Sequence, residues 1–215
     1  RRLRLPLPLT ARRCRCGRLL DPRGDRRAAC PTAGVLLTRG QPLERAAARI
    51  CREGGARVTT NTLVRDMNVT VDRVDDRRIE VVANALPFWH GAQLAVDTTL
   101  VSALTRDGAP RRHAGRWQGA ALRLARRKKE NTYRELMRSR RCRLVVLATE
   151  VGGRWNTEAR RFVHKLARHR AQSAPEPLRK AAAHAYAVRW SALLTAAARR
   201  AFAASLLAWP SAAQA

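Results

Sequence analysis

The chain has 215 residues, 44 of them Lys or Arg against 16 acids, for a formal net charge of +28 and a pI near 11.8. An excess of this size opposes a compact state through self-repulsion and calls for a polyanionic partner, of which a phosphate backbone is the commonest. The length suits one ordinary domain with an appendage. No run of about 18 apolar residues offers a bilayer span, and five unevenly placed cysteines point to a reducing, intracellular setting rather than a disulfide framework.

Residues 1–42 read as a loop-rich module. The opening RRLRLPLPLT has an apolar stretch too short for a signal peptide, broken by Pro6 and Pro8. With an initial Arg, the chain is expected to be a piece of a longer reading frame. Residues 43–53 put Leu43, Ala46, Ala47, Ile50 and Cys51 on one helical face, closed by Gly54-Gly55. The β-branched run 57–64, the apolar run 78–83 and QLAVDTTLVS at 93–102 are predicted strands. A polar loop over 105–116 leads to a helix over 118–140, its apolar face built from Ala121, Leu122, Ala125, Tyr133, Leu136 and Met137. RLVVLAT at 143–149 is a buried strand, and 157–171 a helix with Thr157 as N-cap and Glu158 in its first turn. After Pro175 and Pro177 comes a long Ala-rich helix over 178–208 that Pro210 stops, with Tyr186, Trp190, Leu194 and Phe202 expected to pack on the domain. The order closes most naturally as an α/β fold, a mixed central sheet flanked by helices. Its three segments are 1–42, the main domain 43–172 and a C-terminal helix within 173–215.

Chemistry enters through two acids embedded in predicted strands, Glu80 and Asp97. A buried, unpaired carboxylate is costly or takes up a proton, whereas two on neighbouring strands can share a divalent cation such as Mg²⁺. The plainer alternative puts one acid on an exposed face or pairs it with a cation such as Arg78. The helix after the Asp97 strand carries Arg126, Arg127, Lys128 and Lys129, with Tyr133 one turn beyond Lys129 on the same face. Only four lysines occur in the chain, and two fall here. A compact, titratable ammonium is thus singled out in a chain that otherwise uses Arg, although a solvated basic face would give the same run. GC-rich coding is an alternative source for part of the Arg surplus, and an anionic membrane surface is a second polyanion of the right sign.

An acid in one strand, an Asp central to the next, a Lys-bearing helix and an upstream helix with Glu44 resemble the PD-(D/E)XK nuclease fold. The order is similar to the restriction-like endonuclease at the C-terminus of non-LTR retrotransposon reverse transcriptases, over about residues 14–170. Arg78-Ile79-Glu80-Val81 stands at that family's Pro-Asp position, VDTTLVS at its second acid, and Lys129 with Tyr133 at its helix. RLVVLATEVGGRWNTEARRFVHKLA matches the following strand, glycine turn and helix. Cys14-x-Cys16 followed by GDRRAAC ending in Cys30 resembles the Cys-Cys-His-Cys zinc knuckle that precedes the nuclease. Three departures stand out: Ile79-Glu80 replaces Pro-Asp, Thr99 stands two after Asp97 in place of a Lys, so that the lysine must reach in from the helix as Lys129, and Arg26 occupies the His position, the first His of the chain being His90.

The resemblance implies Mg²⁺ held by Glu80, Asp97 and a backbone carbonyl near Thr98, with help from Glu44, and Lys129 acting on the attacking water. It implies Arg126, Arg127, Lys128 and Tyr133 on nucleic acid, and Zn²⁺ on Cys14, Cys16 and Cys30 with the fourth ligand missing. The expected partners are DNA, with RNA as a second polyanion, and the remainder of a reverse transcriptase polyprotein, in the nucleus and without a membrane. A catalytically inactive nucleic-acid-binding remnant of such an element is the alternative. Trp89-His90 and Glu150 are read as structural, Glu150 pairing with Arg154, and His164 with His169 lack the spacing of a metal pair.

Overall fold

The structure, a computed structural model, describes residues 13–14, 16–30, 40–105 and 107–207. The opening RRLRLPLPLT and Pro210 lie outside the described residues, as does the side chain of Arg26. The elements in chain order are α1 (Asp25–Ala29), α2 (Gln41–Glu53), β1 (Arg57–Leu63), β2 (Arg78–Asn84) and β3 (Gln93–Val101). After these come α3 (Ala120–Thr132), α4 (Arg134–Arg138), β4 (Cys142–Glu150), α5 (Thr157–Arg170) and α6 (Arg179–Leu207).

The four strands lie in the order β1-β2-β3-β4. β1, β2 and β3 form an antiparallel meander, and β4 then joins β3 in parallel, Asp97 facing Val146 in the register. A parallel neighbour needs a crossover, which α3 and α4 supply. The expected mixed sheet flanked by helices is what the chain forms.

Strand alternation sorts the sheet's side chains onto two faces. Val81, Ala83, Leu94, Val96, Val145 and Leu147 pack with α2, α5 and α6. Val82, Ala95, Val146 and Ala148 pack with Leu122 of α3, with Tyr133 between the two helices and with Leu136 of α4. Helix α6 is built into the larger cluster through Ala187, Trp190 and Leu194, and the Trp190 indole donates to Glu53 Oε2 at 2.7 Å, anchoring α6 to the end of α2. The C-terminal helix therefore belongs to the main core, as its aromatic residues suggest. None of the described helices is long and apolar enough to cross a membrane.

Two details differ from the expected elements. The helix over 118–140 is broken at Tyr133, whose backbone leaves the helical region at φ −121 and ψ 52. Asn156 rather than Thr157 caps α5, accepting from the Ala159 N–H at 3.0 Å. Asn156 also donates to the Val146 carbonyl at 2.8 Å, and Glu158 Oε2 accepts from the Val146 N–H at 3.2 Å. These two side chains occupy the outer edge of β4, which would otherwise be open to another strand. At the other end of the helix pair, a Cβ on Gly54 would lie 2.4 Å from Leu166 Cδ1, so only glycine lets α2 end against α5.

Candidate active site

The antiparallel register Val81↔Val96, Val82↔Ala95, Ala83↔Leu94 sets Glu80 opposite Asp97 one step further along. Residues directly opposed in this way bring their Cβ atoms to about 5 Å on one face. That face carries α3, and Lys129 reaches in from its last turn to place Nζ 2.8 Å from Asp97 Oδ2. Asp97 is 1% exposed, and its other oxygen, Oδ1, is buried with no hydrogen-bond partner. Glu80 Oε2 accepts from the Thr98 N–H at 2.7 Å and from the Thr98 hydroxyl. The Glu80 carboxylate thus takes a β3 N–H just where the β2–β3 pairing ends.

Three charges meet here in a poorly solvated place: two carboxylates and one ammonium, an excess of one negative charge. Burial pushes the Glu80 carboxyl up to about 7, the charge of Asp97 adds to the rise, and Thr98 and Lys129 oppose it. Asp97 is raised as well, by burial first, with Lys129 pulling the other way. The pair therefore holds a proton or a cation more readily than ordinary carboxylates do.

The sequence-derived residues divide into those the fold gathers and those it does not. Glu80, Asp97 and Lys129 converge. Tyr133 lies beside them but is buried, its hydroxyl donating to the Arg78 carbonyl at 2.9 Å, so it braces the end of α3 instead of meeting nucleic acid. Burial and the two neighbouring carboxylates raise its phenol and keep it protonated. Arg78 itself donates to the Asn61 carbonyl, not to Glu80. Glu44 sits in the first turn of α2, which packs on the opposite face. Among the described residues Glu44, Glu80 and Asp97 do not come within metal-sharing distance as a set, so Glu44 leaves the expected ligand group. Arg126 is held by Glu130 at 2.8 Å and Glu158 at 3.5 Å, while Arg127 and Lys128 are exposed.

Two groups are not legible in the sequence: the Thr98 N–H and hydroxyl as donors to Glu80, where only a carbonyl near Thr98 is expected, and Arg111. Their signals are non-local: Thr98 matters because strand pairing stops beside it, and Arg111 because its loop folds back, Nε donating to the Ser102 carbonyl at 2.9 Å. Arg111, Lys128, Lys129 and Thr99 line a groove of about 450 Å³ next to the carboxylate pair.

A second cluster involves sulfur. The Sγ atoms of Cys14, Cys16 and Cys30 all lie within 4.8 Å of one another, an arrangement that could hold a metal ion such as zinc. Residues 1–12, 15 and 31–39, which border it, contain no Cys, His, Asp or Glu to complete a tetrahedral set. Of the residues read as structural, Glu150 faces Arg154 at 3.9 Å, and Trp89 packs against the main core beneath Lys165, whose Nζ lies 4.2 Å from the ring centre. No protein-family model and no curated protein matches this chain.

Proposed function

We propose that the chain is a divalent-cation-dependent phosphodiesterase that nicks DNA, a PD-(D/E)XK-type nuclease from the endonuclease region of a non-LTR retrotransposon reverse transcriptase. The observation that carries this reading is the opposed pair Glu80 and Asp97, with Lys129 on Asp97 Oδ2 and the other oxygen, Oδ1, buried without a hydrogen-bond partner. Mg²⁺ prefers carboxylate oxygens of this kind, and it would offset the excess negative charge, so the residues fit the ion. The helix–three strands–helix–strand order, with β4 parallel to β3, agrees with the fold that the resemblance implies.

Glu80 and Asp97 would hold Mg²⁺, which would supply Lewis acidity toward a phosphoryl oxygen. Lys129 keeps Asp97 ionised and aimed, and its ammonium lies where it can orient the attacking water and stabilise charge developing on the phosphate. Thr98 restrains Glu80 through two hydrogen bonds, fixing one of the two oxygens. Arg111 and Lys128, along the groove, neutralise the flanking phosphates. The substrate is DNA, acted on in the nucleus beside the remaining parts of a reverse transcriptase, and the three-thiolate cluster would hold Zn²⁺.

The test is nicking of supercoiled plasmid in Mg²⁺ or Mn²⁺. The wild-type chain should convert it to the open circle, and Asp97→Ala and Lys129→Met should lose that conversion at least a hundredfold. Unchanged nicking by Asp97→Ala defeats the proposal. A second reading, an inactive nucleic-acid-binding remnant, is favoured by the absence of Glu44 from the acidic set. It predicts a salt-sensitive DNA shift with no cleavage in either cation.

A further inference from the structure

Between β3 and α3 the chain runs through residues 102–119, and backbone hydrogen bonds tie the described part of this loop together. The Thr105 N–H reaches the Ala109 carbonyl at 2.8 Å, the Arg111 N–H the Ala103 carbonyl at 2.8 Å, and the Trp117 N–H the His113 carbonyl at 2.9 Å. His113 sits at φ 63, a left-handed conformation unusual for a residue with a side chain. This backbone stacks its imidazole on the Trp117 indole, with ring centres 4.5 Å apart and planes 24° from parallel. One face of the indole is thereby supported while the side chain remains 57% exposed. A large aromatic held rigid and left in water contributes nothing to the core, and nothing in the nuclease chemistry uses it.

The surroundings of this ring are cationic. The hollow of about 280 Å³ beside Trp117 is lined by Arg116 and Arg154. It shares Gln118, Gly119 and Arg154 with a cleft of about 610 Å³ between the starts of α3 and α5, where Arg123 and Arg160 also stand. In the other direction it shares Ala121 with the groove of Lys128 and Lys129. Two acids lie along this path, Glu150 and Glu158, and each faces an arginine, Arg154 and Arg126 respectively. The hollow beside Trp117 thus runs into the cleft of Arg123 and Arg160, and the groove of Lys128 and Lys129 adjoins it across Ala121, so the three lie in a row as a basic track past Trp117.

We propose that this track binds a single-stranded nucleic acid segment, with a base stacked on Trp117 and the adjoining phosphates on Arg123 and Arg154. Aromatic platforms in basic grooves take unpaired bases because every base has a π-face, whereas a duplex hides its faces in the stack. The inference goes beyond the nuclease. It relies on that reading only for the destination of the strand at Lys129, and binding without metal is independent of cleavage.

The experiment measures fluorescence anisotropy of a labelled oligothymidylate of about 12 nucleotides, a length within the footprint of such grooves, with EDTA present so that no cleavage occurs. Heparin, a polyanion without bases, serves as competitor. Trp117→Ala should weaken oligothymidylate binding about tenfold, leave heparin competition and the melting curve unchanged, and be largely restored by Trp117→Phe. The double variant Arg123→Ala/Arg154→Ala should weaken both ligands and lower the magnitude of the salt slope for the oligonucleotide by roughly one to two. Wild-type binding of oligothymidylate by Trp117→Ala overturns the proposal. So does an equal loss toward oligothymidylate and heparin, or an equal loss toward a duplex of the same length. A chain that never nicks DNA still passes or fails this test, so the two readings fall separately.

Discussion

Replacing Glu80 with Gln should make the metal-free protein more stable, the reverse of what removing a hydrogen-bonded core side chain usually does. The Gln carbonyl can still accept the Thr98 N–H that Glu80 accepts at 2.7 Å, so the substitution removes chiefly the charge. Burial, with Asp97 opposite, pushes the Glu80 carboxyl from 4.5 to about 7. A folded-state value above the unfolded one means the folded protein binds the proton more tightly. That contribution to stability is complete below about pH 4.5 and is lost as the pH rises to about 7. At about pH 8 the wild type carries the ionised group at a cost of about 3 kcal/mol, falling below about 1 kcal/mol near pH 5. Thermal melts in EDTA should therefore show Glu80→Gln melting roughly 6–12 °C above wild type at about pH 8, given about 2–4 °C per kcal/mol for a chain of this size. Near pH 4.5 the two proteins should melt together. Saturating Mn²⁺ should raise the wild-type melting temperature at pH 8 and leave the variant unmoved. A variant that is no more stable than wild type at pH 8, or a gap independent of pH, would refute the account of the buried charge.

Other perturbations bear on the same architecture. Lys129→Met leaves Asp97, 1% exposed, without its cation. It should destabilise by roughly 3 kcal/mol at pH 8 and less at pH 4, as measured by urea unfolding at both pH values. Gly54→Ala forces a methyl to within 2.4 Å of the buried Leu166 and should cost about 1–3 kcal/mol in the same assay, with plasmid nicking unaffected at temperatures where the variant is folded. Trp190→Ala should cost about 3–5 kcal/mol, since the indole is fully buried and anchors α6 through Glu53. Zinc should bind the wild type with a stoichiometry of one by metal analysis after dialysis, and Cys30→Ser should abolish it, because Cys14 and Cys16 alone leave half of a tetrahedral set.

Much of the fold is written in periodicities that survive folding. The face Leu43, Ala47, Ile50, Cys51 is buried as its spacing requires, and β3 runs from Gln93 to Val101, almost the span of its β-branched run. What stays hidden depends on contacts distant in the chain. No Pro or Gly marks the break at Tyr133, where a side chain pulled toward Arg78, 55 residues earlier, accompanies the departure from helical geometry. Asn156 and Thr157 are both good capping residues, and only the position of β4 decides that Asn156 does the capping. Asp97 has no cation near it in sequence because its partner is 32 residues away on a crossover helix. Glu44 shows the converse: an acid expected at the site, carried by a helix that packs on the other face of the sheet.

The route of the chain also bears on how the protein folds. β1, β2 and β3 follow one another with connections of 14 and 8 residues and can pair early, which brings Glu80 against Asp97 before Lys129 is in place. Lys129 arrives only when the segment from residue 102 to 141 has crossed the sheet and β4 has docked in parallel. An early meander would thus carry two opposed carboxylates, and protons should help it form. Refolding without divalent ions should be faster near pH 5 than near pH 8, and the difference should shrink in the Glu80→Gln variant.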